Sequence, residues 1–240
     1  MSGHSKWHSI KHQKGIADAK RGAAFTKLAN VITMAAKTGG GDPEFNFSLR
    51  IAIDKAKQSN MPKDKIEKAV LRGTGELDGN LLHEMVYEGF GPHHIAVVIE
   101  SVTDNKNRAV ADIKHIFSKH GGNLGSQNSV SWMFERRGVL RIPKETSEKT
   151  DEEIELASID AGALDIKTQD EGLEIHTDPK TLQTVKESLE KQNIKVENAN
   201  IEFVAKENIT LENTAMADAD AFFEALDENE DVKDYYTNLA

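Results

Sequence analysis

The sequence predicts an α+β protein of three domains: a small N-terminal three-helix domain and two ferredoxin-like α/β domains, the third inserted in the second. Three observations carry that prediction. Apolar residues recur at three- and four-residue spacing up to about residue 75, then give way to short β-branched runs alternating with helical ones. A β-α-β-β succession in the middle of the chain lacks its closing α-β, and the last thirty residues or so supply one. Between them lies an acidic stretch with an α/β succession of its own. The expected limits are 1–75 for a basic arm with the helical domain, 76–143 and 208–240 for the second domain, and 144–207 for the inserted one.

Taken in order, the chain opens on an arm dense in Lys and His, with Trp7 and Ile10 as its main apolar anchors. A helix is expected after Gly22, with Ala24, Leu28, Val31 or Ile32, and Ala35 on one face; an earlier start would put Arg21 in the apolar arc. Gly39-Gly40-Gly41-Asp42-Pro43 ends it. Leu49, Ala52, Ile53 and Ala56 mark a second helix. Pro62 in a first turn, with Ile66, Ala69 and Val70 inward and a stop at Gly73, marks a third. Ile95–Thr103 reads as a strand, and Arg108–His120 as a helix with Val110, Ile113 and Phe117 inward. Ser129–Phe134 and Val139–Ile142 read as two strands turning through Arg136-Arg137-Gly138. The inserted domain reads as helix Asp151–Ala161, strands Leu164–Lys167 and Leu173–His176, helix Leu182–Leu189 and strand Val196–Val204. Asp218–Leu226 (helix) and Val232–Leu239 (strand) close the second domain.

Composition narrows the function. At 38% apolar and 29% charged residues, the chain is a folded globular protein with modest cores. It has no cysteine, which excludes disulfides, thiolate metal sites and thiol catalysis. No apolar run spans a bilayer, and the basic first thirty residues lack the apolar core of a secretory signal. A cytoplasmic location without membrane contact is the expectation.

Charge is unevenly distributed. Residues 1–72 carry 14 Lys and Arg against 6 Asp and Glu, a net of +8; residues 73–142 carry −1 and residues 143–240 carry −17. Such asymmetry points to a basic element that meets a polyanion. With a Debye length of about 8 Å at physiological salt, the acidic pI of the whole chain does not veto this, provided the two ends stay apart. Lys6, Lys11, Lys14, Lys20, Arg21 and Lys27 face a single acid, Asp18, within the first 28 residues. Crowded like charges repel and gain nothing unless a polyanion or an acidic surface neutralises them. Trp7 offers an indole face on which a base could stack, although an anchor pinning the arm is its commoner role.

Other chemistries find little support. The glycine-rich stretches match neither a phosphate-cradling loop nor a dinucleotide fingerprint and read as helix stops. His4, His8 and His12 are spaced as zinc ligands on a helix often are, but no carboxylate or thiolate sits nearby to complete a site, and they read as polar side chains of the arm. No nucleophile motif or paired carboxylate stands out, so no catalytic residue, metal, cofactor or small-molecule substrate is assigned. Asn105 or Asn107 can cap the helix that follows Thr103. Arg108 sits in its first turn, where the helix dipole disfavours a cation, and so calls for a partner, with a structural salt bridge the expected one.

Several stretches resemble the YebC/PmpR family: Gly3-His4-Ser5-Lys6-Trp7, Ile10-Lys11-His12, Asp18-Ala19-Lys20-Arg21, Phe25-Thr26-Lys27-Leu28, Gly39-Gly40-Gly41-Asp42-Pro43, Tyr87-Glu88-Gly89-Phe90-Gly91-Pro92, Thr103-Asp104-Asn105-Lys106-Asn107-Arg108 and Gly121-Gly122-Asn123-Leu124-Gly125. The likeness extends to the closing Val232–Asn238, and His8 and Ser9 depart from it slightly. The family includes bacterial proteins described as transcriptional regulators and a mitochondrial translational activator of cytochrome oxidase. The resemblance implies three domains, no catalysis and binding to DNA or ribosomal RNA, with the transcription machinery or the ribosome as partner. A DNA-binding regulator is the preferred reading, and relief of stalling at proline-rich sequences on the ribosome the alternative. It implies Lys6, Lys11, Lys14, Lys20, Arg21 and Lys27 as polyanion contacts, assisted by Trp7 and His12. Tyr87, Gly89, Gly91, Asn105 and Arg108 are candidates for a second surface. A module that docks on protein alone is the competing expectation.

Overall fold

The computed structural model describes residues 18–79, 81–144 and 149–240, with the side chains of residues 18–21 and of Asn213 outside the description. Among the described residues the fold is α+β, with seven helices and two four-stranded antiparallel sheets in two compact units. One unit holds the described residues up to Met133 together with Ala205–Ala240, and the other is Phe134–Val204.

The first unit begins with a bundle of α1 (Asp18–Gly39), α2 (Phe47–Gln58) and α3 (Lys63–Thr74). Leu28, Ile32 and Ala36 of α1 meet Leu49, Ala52 and Ala56 of α2 and Ile66 and Ala69 of α3 in one core. Small residues set the closest approach: the Thr33 hydroxyl donates to Ala69 O at 2.9 Å. A Cβ at Gly73 would collide with Thr33 O and the Ala36 methyl. Gly73 is therefore a packing residue inside α3, and the stop falls at Gly75, whose φ of 81° only glycine adopts freely. α1 also runs through Gly22 instead of starting after it. The missing Cβ of Gly22 faces open space, and the packed face that follows outweighs a propensity cost of about 1 kcal/mol. Asn46 locks the turn between α1 and α2. Its amide donates to Ala35 O and Gly40 O, both at 2.8 Å, and its Oδ1 caps α2 by accepting from Leu49 N at 3.1 Å.

The same unit continues with β1 (His83–Phe90), β2 (Ala96–Thr103), α4 (Lys106–Lys119) and β3 (Asn123–Leu124). It closes with α7 (Asn213–Glu228) and β8 (Val232–Thr237) after the second unit has intervened. The sheet order is β3-β1-β2-β8. Its core joins Val97 and Ile99 of β2, Ile113 and Phe117 of α4, Phe222 and Leu226 of α7, and Tyr235 of β8. Phe117 and Phe222 meet edge to face at 5.1 Å between ring centroids. Val110, expected inward, is exposed, and Ala109 takes its place beside Ile113 and Phe117.

The largest departure from the sequence reading concerns residues 129–143. Of Ser129–Phe134, expected as a strand, only Phe134 lies in one, the rest being a loop and a short 3-10 turn, and Arg136-Arg137-Gly138 is not a turn. One strand, β4 (Phe134–Pro143), runs through them and belongs to the second unit. The missing sheet position is filled by β1, which the sequence reading left unassigned. The loop is shaped by Glu88 of β1, a buried carboxylate that accepts from the backbone N–H of Asn128, Val130 and Ser131 at 2.8 to 3.0 Å. Burial acts to raise its pKa, but these donors outweigh it and hold the carboxyl below its ordinary range.

The second unit adds α5 (Asp151–Ala161), β5 (Asp165–Thr168), β6 (Gly172–Thr177), α6 (Leu182–Lys191) and β7 (Asn198–Ala205). With β4 in first place it is a complete β-α-β-β-α-β succession in sheet order β5-β6-β4-β7, the ferredoxin-like plan. The unit boundaries therefore fall near 134 and 204 instead of 144 and 207. At the point of insertion the chain leaves and returns side by side, with Lys206 N donating to Met133 O at 2.9 Å. Leu140, Ile142, Leu173 and Ile175 occupy one face of the sheet, and Arg141 and Glu174 pair across the other. There Arg141, only 2% exposed, makes two hydrogen bonds to Glu202 at 2.6 and 2.8 Å and an ion pair to Glu174 at 2.8 Å.

Candidate nucleic-acid interface

Of the phosphate-contacting residues expected from the sequence, Lys6, Trp7, Lys11, His12 and Lys14 lie outside the described residues. Lys20 and Arg21 fall in the opening turns of α1, with side chains outside the description. Lys27 is described, and it corrects the expectation. Its half-buried side chain donates from Nζ to the backbone carbonyl of Asp227 at 2.9 Å, in the last turn of α7. A helix C-terminus presents unpaired carbonyls and the negative end of the dipole, so a lysine there is a structural cap. Lys27 is thus drawn to the helix end instead of being offered to solution. The idea that the cationic segment stands wholly clear of the acidic rear of the chain fails at this residue.

The bundle displays further cations that the sequence reading did not single out. Lys37, Lys57, Lys63, Lys65, Lys68 and Arg72 are exposed, while Arg50 and Lys55 are half-buried. Three of these make loose pairs along their own helix: Lys57 with Asp54 at 3.8 Å, Lys63 with Glu67 at 3.4 Å and Lys68 with Asp64 at 3.8 Å. Pairs so exposed are worth little and are easily exchanged for a phosphate. Lys65 lies over the Phe25 ring and Arg50 over Phe47, at 5.1 and 5.5 Å to the centroids. The signal available in the sequence was the +8 of the whole segment, of which the first 28 residues hold +5.

Of the second surface expected at Tyr87, Gly89, Gly91, Asn105 and Arg108, the two glycines are buried, Tyr87 and Arg108 are half-buried and Asn105 is exposed. A Cβ on Gly89 would meet Asn123 O at 2.5 Å and the Phe117 ring at 2.9 Å. One on Gly91 would stand 3.0 Å from Phe222, so both glycines permit close packing. The Tyr87 hydroxyl is buried, and that burial, followed by the charge of Asp231, raises its pKa. Asn105 caps α4 by accepting from Arg108 N at 3.1 Å. Arg108 grips Asp231, itself 2% exposed, through Nε at 3.0 Å and Nη2 at 2.7 Å, and also reaches Asp104 at 3.1 Å. Hydrogen bonding to Asp231 raises the Arg108 pKa further, against the opposing effect of desolvation. The structural salt bridge foreseen for this arginine is present. Among the described residues no three His, Asp or Glu side chains gather as a metal site would require, and no helix is long and apolar enough to cross a membrane.

Comparison with known proteins locates this arrangement. Residues 5–76 match the family described as "TACO1/YebC protein N-terminal domain", and residues 82–239 match "TACO1/YebC second and third domain". The chain belongs to the TACO1/YebC family. The first match spans the bundle, and the second spans the first unit's sheet and the inserted unit together. Relatives cover the full length: a protein of Persephonella marina is 50% identical over 100% of this chain and 96% of its own. One of Halothermothrix orenii is 46% identical over 100% and 95%. Both carry the name "Probable transcriptional regulatory protein". A crystal structure of a family relative, the conserved hypothetical protein Aq1575 of Aquifex aeolicus, superposes with a TM-score of 0.87 at 39% identity, covering 98% of this chain and 97% of that one.

Proposed function

We propose that this TACO1/YebC chain is a non-enzymatic, cytoplasmic regulator of gene expression that binds DNA through the phosphates of its backbone. The carrying observation is the segregation of charge, +8 in residues 1–72 against −17 in residues 143–240. The names of its full-length relatives support a regulatory role. Lys6, Lys11, Lys14, Lys20 and Arg21 are the proposed phosphate contacts, with His12 and Trp7 beside them; Lys27 is withdrawn from the set because it caps α7. Exposed, loosely paired cations of the bundle such as Lys63 and Lys68 extend the positive surface. Phosphate contacts of this kind set affinity and orientation but carry no base sequence.

The test is crosslinking in cells followed by sequencing of the attached nucleic acid. Enrichment of promoter fragments is the expected result. Reads dominated by ribosomal RNA would move the protein to translation, and recovery at background level would overturn nucleic-acid binding altogether.

A further inference from the structure

The inserted unit carries an apolar stripe with no counterpart inside the fold. α5 buries Ile154, Ala157 and Ser158. At 100° per residue, Leu156 and Ile159 lie on the opposite side of the helix, and they are 63% and 60% exposed. Leu164, just beyond the helix, is 57% exposed. A helix on the surface of a globular domain ordinarily turns a polar face outward. The other helix of the unit does so: α6 buries Leu182, Val185 and Leu189 and exposes Gln183, Thr184, Glu187 and Glu190. α5 thus carries aliphatic side chains on both sides, with Leu156 and Ile159 outward and Leu164 exposed just beyond its end.

The collar around the stripe identifies the chemistry of its occupant. From Asp151 to Asp165 there are six carboxylates and no Lys or Arg. Glu153 is engaged in the capping box, its carboxylate accepting from Thr150 N at 2.9 Å. Of the other five, Asp151 lies nearer the buried side at 100° per residue; Glu152, Glu155, Asp160 and Asp165 remain around the outer side chains, and none of them forms a salt bridge within the described residues. A nucleic acid or an anionic lipid surface would be repelled by that rim. A second copy packing α5 on α5 would bring the two sets of carboxylates together. The remaining class combines apolar side chains with positive charge.

We propose that the outer face of α5, with Leu156, Ile159 and Leu164 at its centre, docks a basic amphipathic polypeptide segment of a partner protein. Aliphatic side chains three and four residues apart cover the stripe, while Lys and Arg at the edges meet Glu152, Glu155, Asp160 and Asp165. The acidic rim steers the encounter and rejects acidic competitors. This surface is independent of the nucleic-acid reading.

The test uses the full chain and a fluorescein-labelled 18-residue peptide of Leu and Lys with Leu at helical spacing. Its controls are a peptide of the same composition scrambled to destroy that spacing and a version with Glu for Lys. Saturable binding of the amphipathic peptide is expected, at least about tenfold tighter than of the scramble, with none for the acidic version. The pair Leu156→Ser with Ile159→Ser should weaken it about tenfold or more without shifting thermal unfolding. Glu152→Gln, Asp160→Asn and Asp165→Asn together should weaken it and flatten its salt dependence. Absence of saturable binding, equal affinity for the scramble, or indifference to both sets of substitutions would overturn the proposal. So would self-association abolished by the Leu156/Ile159 pair, which would assign the stripe to a second copy.

Discussion

On α3 the charges Lys63, Asp64, Glu67 and Lys68 pair across one helical turn at 3.4 to 3.8 Å, with side chains 61 to 90% exposed. On the inserted sheet Arg141 meets Glu202 and Glu174 at 2.6 to 2.8 Å, with Arg141 only 2% exposed. The bundle's charges remain in water, cost little to hold and can be exchanged for those of a ligand. Those of the insert have lost their hydration and persist because opposite charges face each other, Nη1 and Nη2 of Arg141 against Glu202 and Glu174. Net charge therefore says little about what a surface can bind until each charge is assigned a partner. Lys27 makes the same point within the basic segment: it looks like its neighbours in sequence, yet it caps a helix.

The contrast can be broken by substitution, and its largest expected effect lies in the insert. Arg141→Ala strands two buried carboxylates and should cost about 3–5 kcal/mol, read as early thermal unfolding of residues 134–204 by hydrogen exchange. Arg72→Ala on the bundle surface should stay within about 0.5 kcal/mol. Equal effects would erase the distinction.

Acid should act on the same network. Burial alone would raise the Glu174 pKa, but hydrogen bonding to His176 and the charges of Arg141, His176 and Lys167 bring it down to about 2. A carboxyl depressed on folding stabilises above its unfolded pKa, and that contribution fades as pH falls from about 4.5 towards 2. An acid titration followed by hydrogen exchange should show the insert losing protection across that window, and Glu174→Gln should remove much of the pH dependence.

Smaller effects follow within the first unit. Arg108→Ala leaves Asp231 buried without its guanidinium and should cost roughly 2 kcal/mol in chemical denaturation. Lys27→Gln removes one charged hydrogen bond to the end of α7 and should cost about 1 kcal/mol while leaving nucleic-acid affinity nearly unchanged. A large loss of affinity with unchanged stability would return Lys27 to the phosphate contacts.

The bundle was legible, apart from the start of α1, because its helices are periodic and punctuated by Gly39-Gly40 and Pro62, signals that act locally. The inserted helix Asp151–Ala161 was read with its observed limits for the same reason. β1 escaped because His83-Glu84-Met85-Val86-Tyr87-Glu88 mixes charge with apolar residues, and one of those charges, Glu88, is a buried acceptor whose donors come from residues 128–131. Gly138 read as part of a turn, yet its missing Cβ makes room for Thr177 and Leu182 against β4. Long-range packing of this kind leaves no periodic trace in the sequence. The same holds for the candidate site. Clustering of lysines was visible, whereas the attachment of Lys27 to Asp227, 200 residues away, was not.

The salt dependence of duplex DNA binding tests the central claim most directly. With Lys6, Lys11, Lys14, Lys20 and Arg21 each neutralising a phosphate, log K should fall against log salt with a slope of about −4.5. Changing Lys6, Lys11 and Lys14 together to Gln should reduce the slope to about −2. A slope near zero for the unmodified chain, or one that the triple substitution leaves intact, would contradict the account.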